Sequence, residues 1–259
     1  MIRLTVLGGA AACPNPGQGC SAYLIESEKT ALLLDCGPDT LAALQLHCPL
    51  DALTAIVISH LHADHILDLI PLRYGLKYMP GLTRRHLPLW LPPGGKAFLH
   101  GMATALAVDT EEAEGFFSEV FSLMEYNPTE TLQCGDLTLI FTPTQHWVPC
   151  WAIRITDGQW HIGYSADTGP IPSLVDFFAG VHALICEGTL REQPTDASLQ
   201  GHLTAQQAGH LARAIGTPTL ILTHYWTNLG AELLARDAAA AFGQPVILAQ
   251  PGLQLTFSA

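Results

Sequence analysis

The stretch Ser59-His60-Leu61-His62-Ala63-Asp64-His65 directly follows Ala55 to Ile58, an apolar segment with the composition of a buried β-strand. It places four residues of metal-ligand type within six positions, which packing alone hardly explains. In an extended segment, residues two apart face the same side, so His60 and His62 can bind one ion together. If the chain then turns into a helix, the last two ligand types of the motif point toward a neighbouring site. The spacing therefore favours two adjacent metal ions over one.

Three more candidate ligands occur far along the chain, each just past an apolar segment of strand type. They are His146, Asp167 and His224, which follow Leu137 to Phe141, Trp160 to Tyr164 and Thr219 to Leu222. Ligands at strand ends are the usual way for an α/β sheet to build a site from residues distant in sequence. We therefore expect these three side chains to join the ligands of the motif.

The rest of the chain supports an α/β or sandwich architecture. Its 259 residues are 49% hydrophobic and only 13% charged, which predicts one compact α/β domain spanning residues 1–259. Early strand-like segments come in hairpin-like pairs, whereas later ones are expected to be separated by helices. The predicted strands are Ile2 to Leu7, Ala22 to Ile25, Ala31 to Leu34, Ala55 to Ile58, Leu87 to Leu91, Leu137 to Phe141, Trp151 to Ile155, Trp160 to Tyr164, Ala183 to Cys186, Thr219 to Leu222 and Val246 to Ala249.

Helix signals are clearest near the C-terminal end of the sequence. Thr204 and Gln207 form a T-x-x-Q capping box, and Gly216 predicts where that helix ends. A second helix is predicted from about Glu232 to Phe242. The segment after His65 is apolar enough for a helix, but Pro71 should either kink it or begin a new one.

The order of the ligand motifs resembles the metallo-β-lactamase superfamily. H-x-H-x-D-H is followed by a lone histidine, by an aspartate within Ser165 to Thr168 and by a histidine after a strand. Asp35, in the segment Leu32 to Gly37, matches the aspartate that supports the ligands in that superfamily. The resemblance extends from about residue 4 to residue 224. It implies an αββα sandwich of two mixed β-sheets flanked by helices.

The resemblance also implies a ligand set for two divalent ions. It assigns His60, His62 and His146 to the first metal, Asp64, His65 and His224 to the second, and Asp167 to a bridging position. This mixture of nitrogen and carboxylate ligands favours Zn²⁺, while Mn²⁺ or Fe would also fit. A water held by two cations ionises near neutral pH and becomes the nucleophile. Asp64 is expected to orient that water, and Asp35 to fix a ligand histidine from outside the metal shell.

A further match narrows the branch of the superfamily. Ile185 to Leu190, containing Glu187, and Gly201 to Thr204, containing His202, resemble motifs of ribonuclease Z and related phosphodiesterases. The resemblance implies that His202 protonates or stabilises the departing oxygen, with Glu187 keeping the imidazole cationic. We therefore predict a dinuclear metal-dependent phosphodiesterase.

The predicted substrate is a small or cyclic phosphodiester, such as a cyclic nucleotide or a cyclic ribose phosphate. The long glycine- and proline-rich arm that grips tRNA in ribonuclease Z has no room between Phe141 and Asp167. The net charge of −12 also disfavours folded RNA. A basic cluster could bind a polyanion or be a solvated helix face and turn; it consists of Arg73, Lys77, Arg84, Arg85 and His86. The phosphodiesterase of phosphonate degradation carries a cysteine-rich zinc loop that this sequence lacks.

Three alternatives stay open at this stage. The same metals could attack a carbonyl group in a lactone, thioester or β-lactam, although a second acid beside the leaving group is then less needed. The chain could be a tRNA 3′ processing endonuclease of the ribonuclease Z type. It could also bind metal without turnover, although members of that kind usually lack some ligands.

Composition predicts a soluble cytoplasmic protein. The seven cysteines are scattered and form no C-x-x-C pair, as expected for free thiols in a reducing compartment. No apolar run approaches about 18 residues, so we expect no membrane association. A homodimer is possible, because an apolar stretch around Tyr74, Tyr78, Met79 and Trp90 could be an interface; it could equally be core.

Overall fold

The computed structural model describes residues 1–83, 85–196 and 200–258, which form two seven-stranded β-sheets. In spatial order, the first sheet consists of β14 (Gln254–Phe257), β1 (Ile2–Gly8), β2 (Ala22–Glu26), β3 (Ala31–Leu34), β4 (Ala55–Val57), β5 (Leu87–Leu91) and β6 (Phe121–Glu125). The second consists of β13 (Ile247–Leu248), β12 (Leu220–Thr223), β11 (Ala183–Glu187), β10 (His161–Tyr164), β9 (Trp151–Thr156), β8 (Leu137–Pro143) and β7 (Leu132–Cys134). Each sheet is therefore built mainly from one half of the chain.

Both sheets are mixed, and both follow the same plan. In the first sheet β1, β2 and β3 are antiparallel, while β3, β4, β5 and β6 are parallel. In the second sheet β7 to β10 form an antiparallel meander, and β10 to β13 are parallel. The carboxyl ends of β3 and β4 consequently lie at the same end of the first sheet. The carboxyl ends of β8, β10, β11 and β12 lie at the same end of the second sheet, because β8 runs in the same direction as β10.

The helices cover the outer faces of the sheets. They are α1 (Leu41–His47), α2 (Ala63–Ile66), α3 (Leu69–Tyr78), α4 (Gly95–Leu106), α5 (Thr110–Gly115), α6 (Ser173–Phe177), α7 (Ala205–Ile215) and α8 (Ala231–Phe242). Strand side chains alternate between faces: Leu33 packs in a cluster with helical Leu69 and Leu99, whereas Leu34 joins a cluster with Leu139 of the second sheet. Each fully buried leucine contributes about 1.5–3 kcal/mol. The αββα sandwich of two mixed sheets expected from the sequence is confirmed.

All predicted strands are present, and no end is shifted by more than two residues. The sequence analysis missed β6, β7 and β14, each of which lies at an edge of its sheet. An edge strand buries fewer side chains, so its apolar pattern is weak: the four residues of β14 are all at least partly exposed. The expectation that helices separate the later strands is wrong for β7 to β10. Short turns that contain Gly135 and Gly158 connect β7 to β8 and β9 to β10, and the loop 144–150, which carries His146, connects β8 to β9.

The helix signals were read correctly where a cap defines them. Helix α7 begins at the capping box of Thr204 and Gln207, and it ends at Gly216 with φ +74°. Helix α8 ends before Gly243, which also has a positive φ. Pro71 lies in the first turn of α3, so it begins a second helix after α2 and does not kink a longer one. Helices α1, α4, α5 and α6 were not predicted.

The apolar stretch singled out in the sequence is partly surface and partly core. Tyr74, Tyr78 and Met79 are 42%, 60% and 42% exposed, whereas Trp90 packs against the core between the sheets. The homodimer stays a prediction. Among the described residues, no helix combines the length and the apolar character needed to cross a lipid bilayer.

The basic cluster is not one solvated face. Arg73 is completely buried, donates to the carbonyl of Phe116 and forms an ion pair with Glu119 at 3.2 Å. Lys77 pairs with the same glutamate, so the two cations share one anion. Arg84 lies outside the described residues.

Candidate metal centre

The residues predicted as metal ligands converge at the carboxyl ends of strands from both sheets. The loop after β4 and helix α2 supply the H-x-H-x-D-H motif, and the loops after β8, β10 and β12 supply the other three side chains. The ligand atoms form two groups, in each of which all atoms lie within 4.8 Å of one another: His60, His62, His146 and Asp167, and then Asp64, His65, Asp167 and His224. Asp167 belongs to both groups. These are the same two groups that the family resemblance implied.

Unusual backbone conformations turn the chain at these strand ends. Asp35, Ala166 and His224 have φ values of +58°, +49° and +50° and follow β3, β10 and β12. Such left-handed conformations cost a non-glycine residue about 1–3 kcal/mol and persist only where the surroundings enforce them. Here they redirect the chain just after a strand. Asp167 and His224 thereby lie in the ligand cluster, and Asp35 lies beside it.

Several buried atoms in the cluster have no hydrogen-bond partner among the described residues: His60 Nε2, His65 Nε2 and Asp167 Oδ1. The Asp167 carboxylate oxygens lie 3.4 to 3.5 Å from the Nε2 atoms of His60 and His65, which is long for an ideal hydrogen bond. Unpaired buried groups are costly, about 1–3 kcal/mol each. A divalent cation between nitrogen and carboxylate ligands satisfies all of them, and this ligand chemistry suits Zn²⁺. The residues present therefore fit metal ions.

Asp35 supports the cluster from the first sheet. Its buried carboxylate accepts hydrogen bonds from Ser59 N at 2.7 Å, Ser59 Oγ at 2.8 Å, His65 Nδ1 at 2.8 Å and Tyr164 Oη at 2.7 Å. Because His65 donates through Nδ1, its Nε2 lone pair is directed at the cluster. Ser59 Oγ donates to Asp35, so it accepts from His60 Nδ1 at 3.1 Å. His60 thus also presents an unprotonated Nε2.

Glu187 plays the corresponding role from the second sheet. Its fully buried carboxylate accepts from Thr168 N at 2.6 Å, Thr189 Oγ1 at 2.7 Å and His202 Nδ1 at 3.0 Å. When Thr189 donates to Glu187, its oxygen accepts from His224 Nδ1 at 2.7 Å. That bond leaves His224 Nε2 free to face the cluster. The buried carboxylate therefore positions one cluster histidine through a hydroxyl and contacts His202 directly.

A backbone carbonyl fixes His146. His146 Nδ1 donates to Gly201 O at 2.9 Å, which leaves Nε2 unprotonated and 3.0 Å from His62 Nδ1. His202, the neighbour of Gly201, packs its ring 4.9 Å from the His146 ring and 5.3 Å from that of His224. The loop before α7 therefore both orients a candidate ligand and brings His202 to the edge of the cluster.

Burial and charge shift the pKa values of these histidines in opposite directions. Burial lowers the pKa of His60 and of His146 to about 4, so both are neutral near pH 7. Burial also lowers the pKa of His65, but the charges of Asp167 and Asp35 outweigh it and raise the pKa well above its usual value, so the metal-free protein holds a proton at His65 Nε2 that a bound cation would displace. For His202 burial is likewise outweighed, here by the hydrogen bond and charge of Glu187, and its pKa is raised. The imidazole of His202 is therefore set to be a proton donor.

Comparison with known proteins decides the family. The sequence profile of the beta-lactamase superfamily domain matches residues 30–225. The chain belongs to that superfamily. It is 30% identical over 255 residues to the probable metallo-hydrolase YhfI of Bacillus subtilis, covering 97% of this chain and 98% of the relative. It is 26% identical over 250 residues to a ribonuclease Z of Mycobacterium bovis, covering 89% and 88%.

Solved structures agree with this superfamily assignment. The crystal structure of the metallo-beta-lactamase fold protein YhfI matches with a TM-score of 0.86 and 28% identity over 98% of both chains. A diphosphatase from the PhnP family matches with a TM-score of 0.74 over 100% of this chain and 98% of the other; its identity of 20% makes this a likeness of fold. The superfamily and the buried cluster together assign the chain to the metallo-hydrolases, as the sequence indicated.

The structure adds supporting residues to this superfamily site that sequence reasoning missed. Ser59 and Thr189 carry the hydroxyls that link a carboxylate to a histidine, and Tyr164 is the fourth donor to Asp35. Thr189 could have been found, since residues two apart in an extended segment share a side and it follows Glu187 at that spacing. The six histidines not assigned to a site lie outside the ligand groups found among the described residues: His47, His86, His100, His161, His182 and His210.

Proposed function

We propose that the chain is a dinuclear metal-dependent phosphodiesterase that acts on small or cyclic phosphodiesters. The observation that supports this best is the position of His202 beside the ligand cluster. Its Nδ1 donates to Glu187 Oε1 at 3.0 Å, and its side chain is 12% exposed, so substrate can reach the ring. His202 belongs to neither of the two groups that share Asp167, although its ring also lies close to Glu187 and His224. Its Nδ1 is bonded to Glu187, which leaves Nε2 without a bond to either. Its imidazole is therefore available for proton transfer.

A phosphodiester needs such a donor more than an activated carbonyl substrate does. The departing alkoxide is a strong base, and a positioned acid that protonates it accelerates the reaction by about 10²- to 10⁴-fold. Glu187 holds the proton on His202 by its negative charge and fixes the ring by accepting from Nδ1. The Nε2–H is then the proton that moves to the leaving oxygen.

We further propose two divalent cations, with zinc favoured, one in each ligand group. Bound there, they would acidify a water and neutralise charge on the attacked phosphate. His60, His62 and His146 would bind one ion. Asp167 would bind both, which explains why its two oxygens lie among histidines from both groups. Asp64 Oδ2, 3.1 Å from His224 Nε2, is placed to orient the attacking water.

The expected substrate is small. A relative at 26% identity is named a ribonuclease, which supports attack at phosphorus. The net charge of −12 repels extended polyanions, and two of the lysines and arginines of the basic cluster, Arg73 and Lys77, are already paired with Glu119. A compact diester with one negative charge avoids most of this repulsion.

The decisive experiment is a substrate panel on metal-loaded protein. We expect turnover of bis(p-nitrophenyl) phosphate and of a nucleoside cyclic phosphate, and none of a lactone, a thioester or a β-lactam. Elemental analysis should find two zinc or manganese ions per chain. Chelation should abolish activity, and added metal should restore it. Turnover of only the carbonyl substrates would contradict the proposal.

The variant His202→Ala, assayed on the same substrates, tests whether His202 protonates the leaving group. We expect its turnover of the cyclic phosphate, which expels an alkoxide, to fall by about 100-fold or more with metal content unchanged. Turnover of the nitrophenyl ester should fall much less, because nitrophenolate leaves without protonation. His210→Ala, at an exposed position in α7, is the matched control. Equal losses on both phosphodiesters would show that the histidine is not the acid.

A further inference from the structure

Trp147 is the residue directly after His146 and has an unusual environment. Its side chain is 64% exposed, although a large aromatic residue is ordinarily mostly buried. The centroid of its ring lies 5.1 Å from that of His146 and 5.1 Å from that of His202. An exposed indole thus borders both a candidate ligand and the proposed acid.

The indole of Trp147 packs closely against Gly201. A Cβ atom added to Gly201 would lie 2.8 Å from Trp147 Cε2 and 2.9 Å from Cζ2, which is closer than real Cβ contacts. The ring therefore packs on the bare Cα of Gly201. The same glycine is fixed through its carbonyl, which accepts from His146 Nδ1 at 2.9 Å. Trp147 is consequently not a loose surface residue.

The exposed indole lines an open cleft next to the cluster. The cleft has a volume of about 420 Å³, and its lining includes His146, Trp147, Pro149 and Trp151. This volume is within the range of about 300–1,000 Å³ typical of small-molecule pockets. His146 is the member of the two ligand groups in this lining, but its imidazole has no exposed surface. The way from the cleft to the cluster therefore passes the ring of His202, which is partly exposed and lies 5.1 Å from the indole.

A protein partner explains this surface less well. Within the described residues, Trp147 is the one large hydrophobic side chain of the cleft that is substantially exposed, and protein interfaces need larger apolar patches. A fixed aromatic ring with open area matches a single planar group. Stacking on such a ring is how proteins commonly bind bases of single nucleotides.

We propose that Trp147 is a stacking platform for a nucleobase, so that the substrate is a nucleoside phosphodiester and not a base-free sugar phosphate. This inference rests on the proposed phosphodiesterase function. The base lies against the indole, and the sugar spans the distance to the phosphate at the cluster. Trp147 then contributes to substrate binding, while His202 carries the proton transfer.

The test compares two substrates that differ only in the base: adenosine 2′,3′-cyclic phosphate and methyl riboside 2′,3′-cyclic phosphate. In metal-loaded protein, Trp147→Ala should raise KM for the adenosine substrate by about 5- to 150-fold, equivalent to ~1–3 kcal/mol of stacking. Its kcat, and both constants for the base-free substrate, should change less than about 2-fold. Trp147→Phe should restore most of the loss. Tyr78→Ala, which removes another exposed aromatic ring, is the control and should change nothing.

Three results would overturn the proposal. They are equal KM values of the wild type for both substrates, no effect of Trp147→Ala, and equal losses on both substrates, which would mean that the indole merely supports His146 and His202. Binding of AMP and of ribose 5-phosphate, measured by calorimetry, separates this inference from the proposed function. If neither diester is hydrolysed, the phosphodiesterase proposal fails; a preference for AMP that Trp147→Ala abolishes would still support the platform, and no preference would overturn it.

Discussion

Asp35 and Glu187 are built into the two halves of the molecule in the same way. Each is a fully buried carboxylate at the end of a strand, Asp35 after β3 and Glu187 as the last residue of β11. Each accepts directly from Nδ1 of one histidine, at 2.8 and 3.0 Å. Each also reaches a second histidine through a hydroxyl, which Ser59 provides in one half and Thr189 in the other.

The difference lies in the histidine that each carboxylate contacts directly. His65, held by Asp35, has no exposed surface and belongs to a ligand group that contains Asp167. His202, held by Glu187, lies outside both groups that contain Asp167 and is 12% exposed. The same arrangement therefore serves two purposes. In the interior it directs a lone pair at the cluster; at the edge it keeps a proton on an imidazole that substrate can reach.

Paired amide substitutions should separate these purposes, and Asp35→Asn should have the larger effect. Asp35 Oδ2 accepts from Ser59 Oγ, His65 Nδ1 and Tyr164 Oη, while Oδ1 accepts from Ser59 N. An amide has only one acceptor oxygen, so its NH₂ group must face the donor on one of these two sides. We expect zinc affinity to fall by about 10- to 100-fold. The free energy of unfolding of the metal-free protein should decrease by about 1–3 kcal/mol.

Competitive zinc titration and urea denaturation measure both effects. Glu187→Gln is the matched control, because it makes the same chemical change in the other half; its zinc affinity should fall by less than a few-fold. Similar losses of zinc in the two variants would mean that both carboxylates support the metals equally. The distinction drawn between His65 and His202 would then be wrong.

The sequence revealed these two carboxylates but not the hydroxyls between them and the histidines. Asp35 and Glu187 stand in motifs that resemble known ones, and the ligand residues are of types that rarely cluster by chance. Serine and threonine are common everywhere, so Ser59 carried no signal of its own, and Thr189 was marked only by its spacing of two residues from Glu187. Tyr164, at the end of a buried strand, has the pattern of a core residue. Its hydroxyl finds Asp35 only because the two sheets face each other.

The fold was predictable to a similar extent and for similar reasons. Central strands such as β11 bury all of their side chains, so their apolar composition alone identified them. The edge strands β6, β7 and β14 depend on a neighbour for their pairing, and that neighbour is not visible in the local sequence. Trp147 is the corresponding case at the site: its packing on Gly201 joins residues that are far apart in the chain.

Glu187→Gln should change the pH dependence of turnover by an intermediate amount. Burial lowers the pKa of His202, and Glu187 outweighs this, so the folded protein holds the proton to higher pH than free histidine would. A glutamine can still accept from Nδ1 but carries no charge. The pKa should fall, and the alkaline limb of kcat for a cyclic phosphate should move to lower pH. A shift of roughly one unit would lower the rate about 10-fold on that limb.

The acidic limb should stay in place in Glu187→Gln, since it does not depend on this proton. His202→Ala should have no alkaline limb of this origin at all. An unchanged profile with a uniformly lower rate would show that Glu187 only positions the ring. Its charge would then not be what keeps His202 protonated.

The smallest expected effect concerns the two hydroxyl links, and it tests the parallel between the halves most directly. Thr189→Val removes the acceptor of His224 Nδ1, and Ser59→Ala removes that of His60 Nδ1. Each loss frees the imidazole to place its proton on Nε2, where a metal needs a lone pair. One hydrogen bond contributes about 0.5–1.5 kcal/mol, so zinc affinity should fall by about 2- to 10-fold in each variant.

Thr189→Ser keeps the hydroxyl and should retain wild-type affinity, and ¹⁵N NMR of the imidazoles reads the tautomers directly. In Thr189→Val the alkaline limb of kcat should not move, because Glu187 keeps its bonds from Thr168 and His202. If that limb shifts together with zinc affinity, the hydroxyl transmits charge between Glu187 and the cluster. The two halves would then differ in whether the hydroxyl transmits charge, as well as in the histidine that the carboxylate holds. Ser59 is bonded to Asp35, and the histidine that Asp35 holds is not a proton donor like His202.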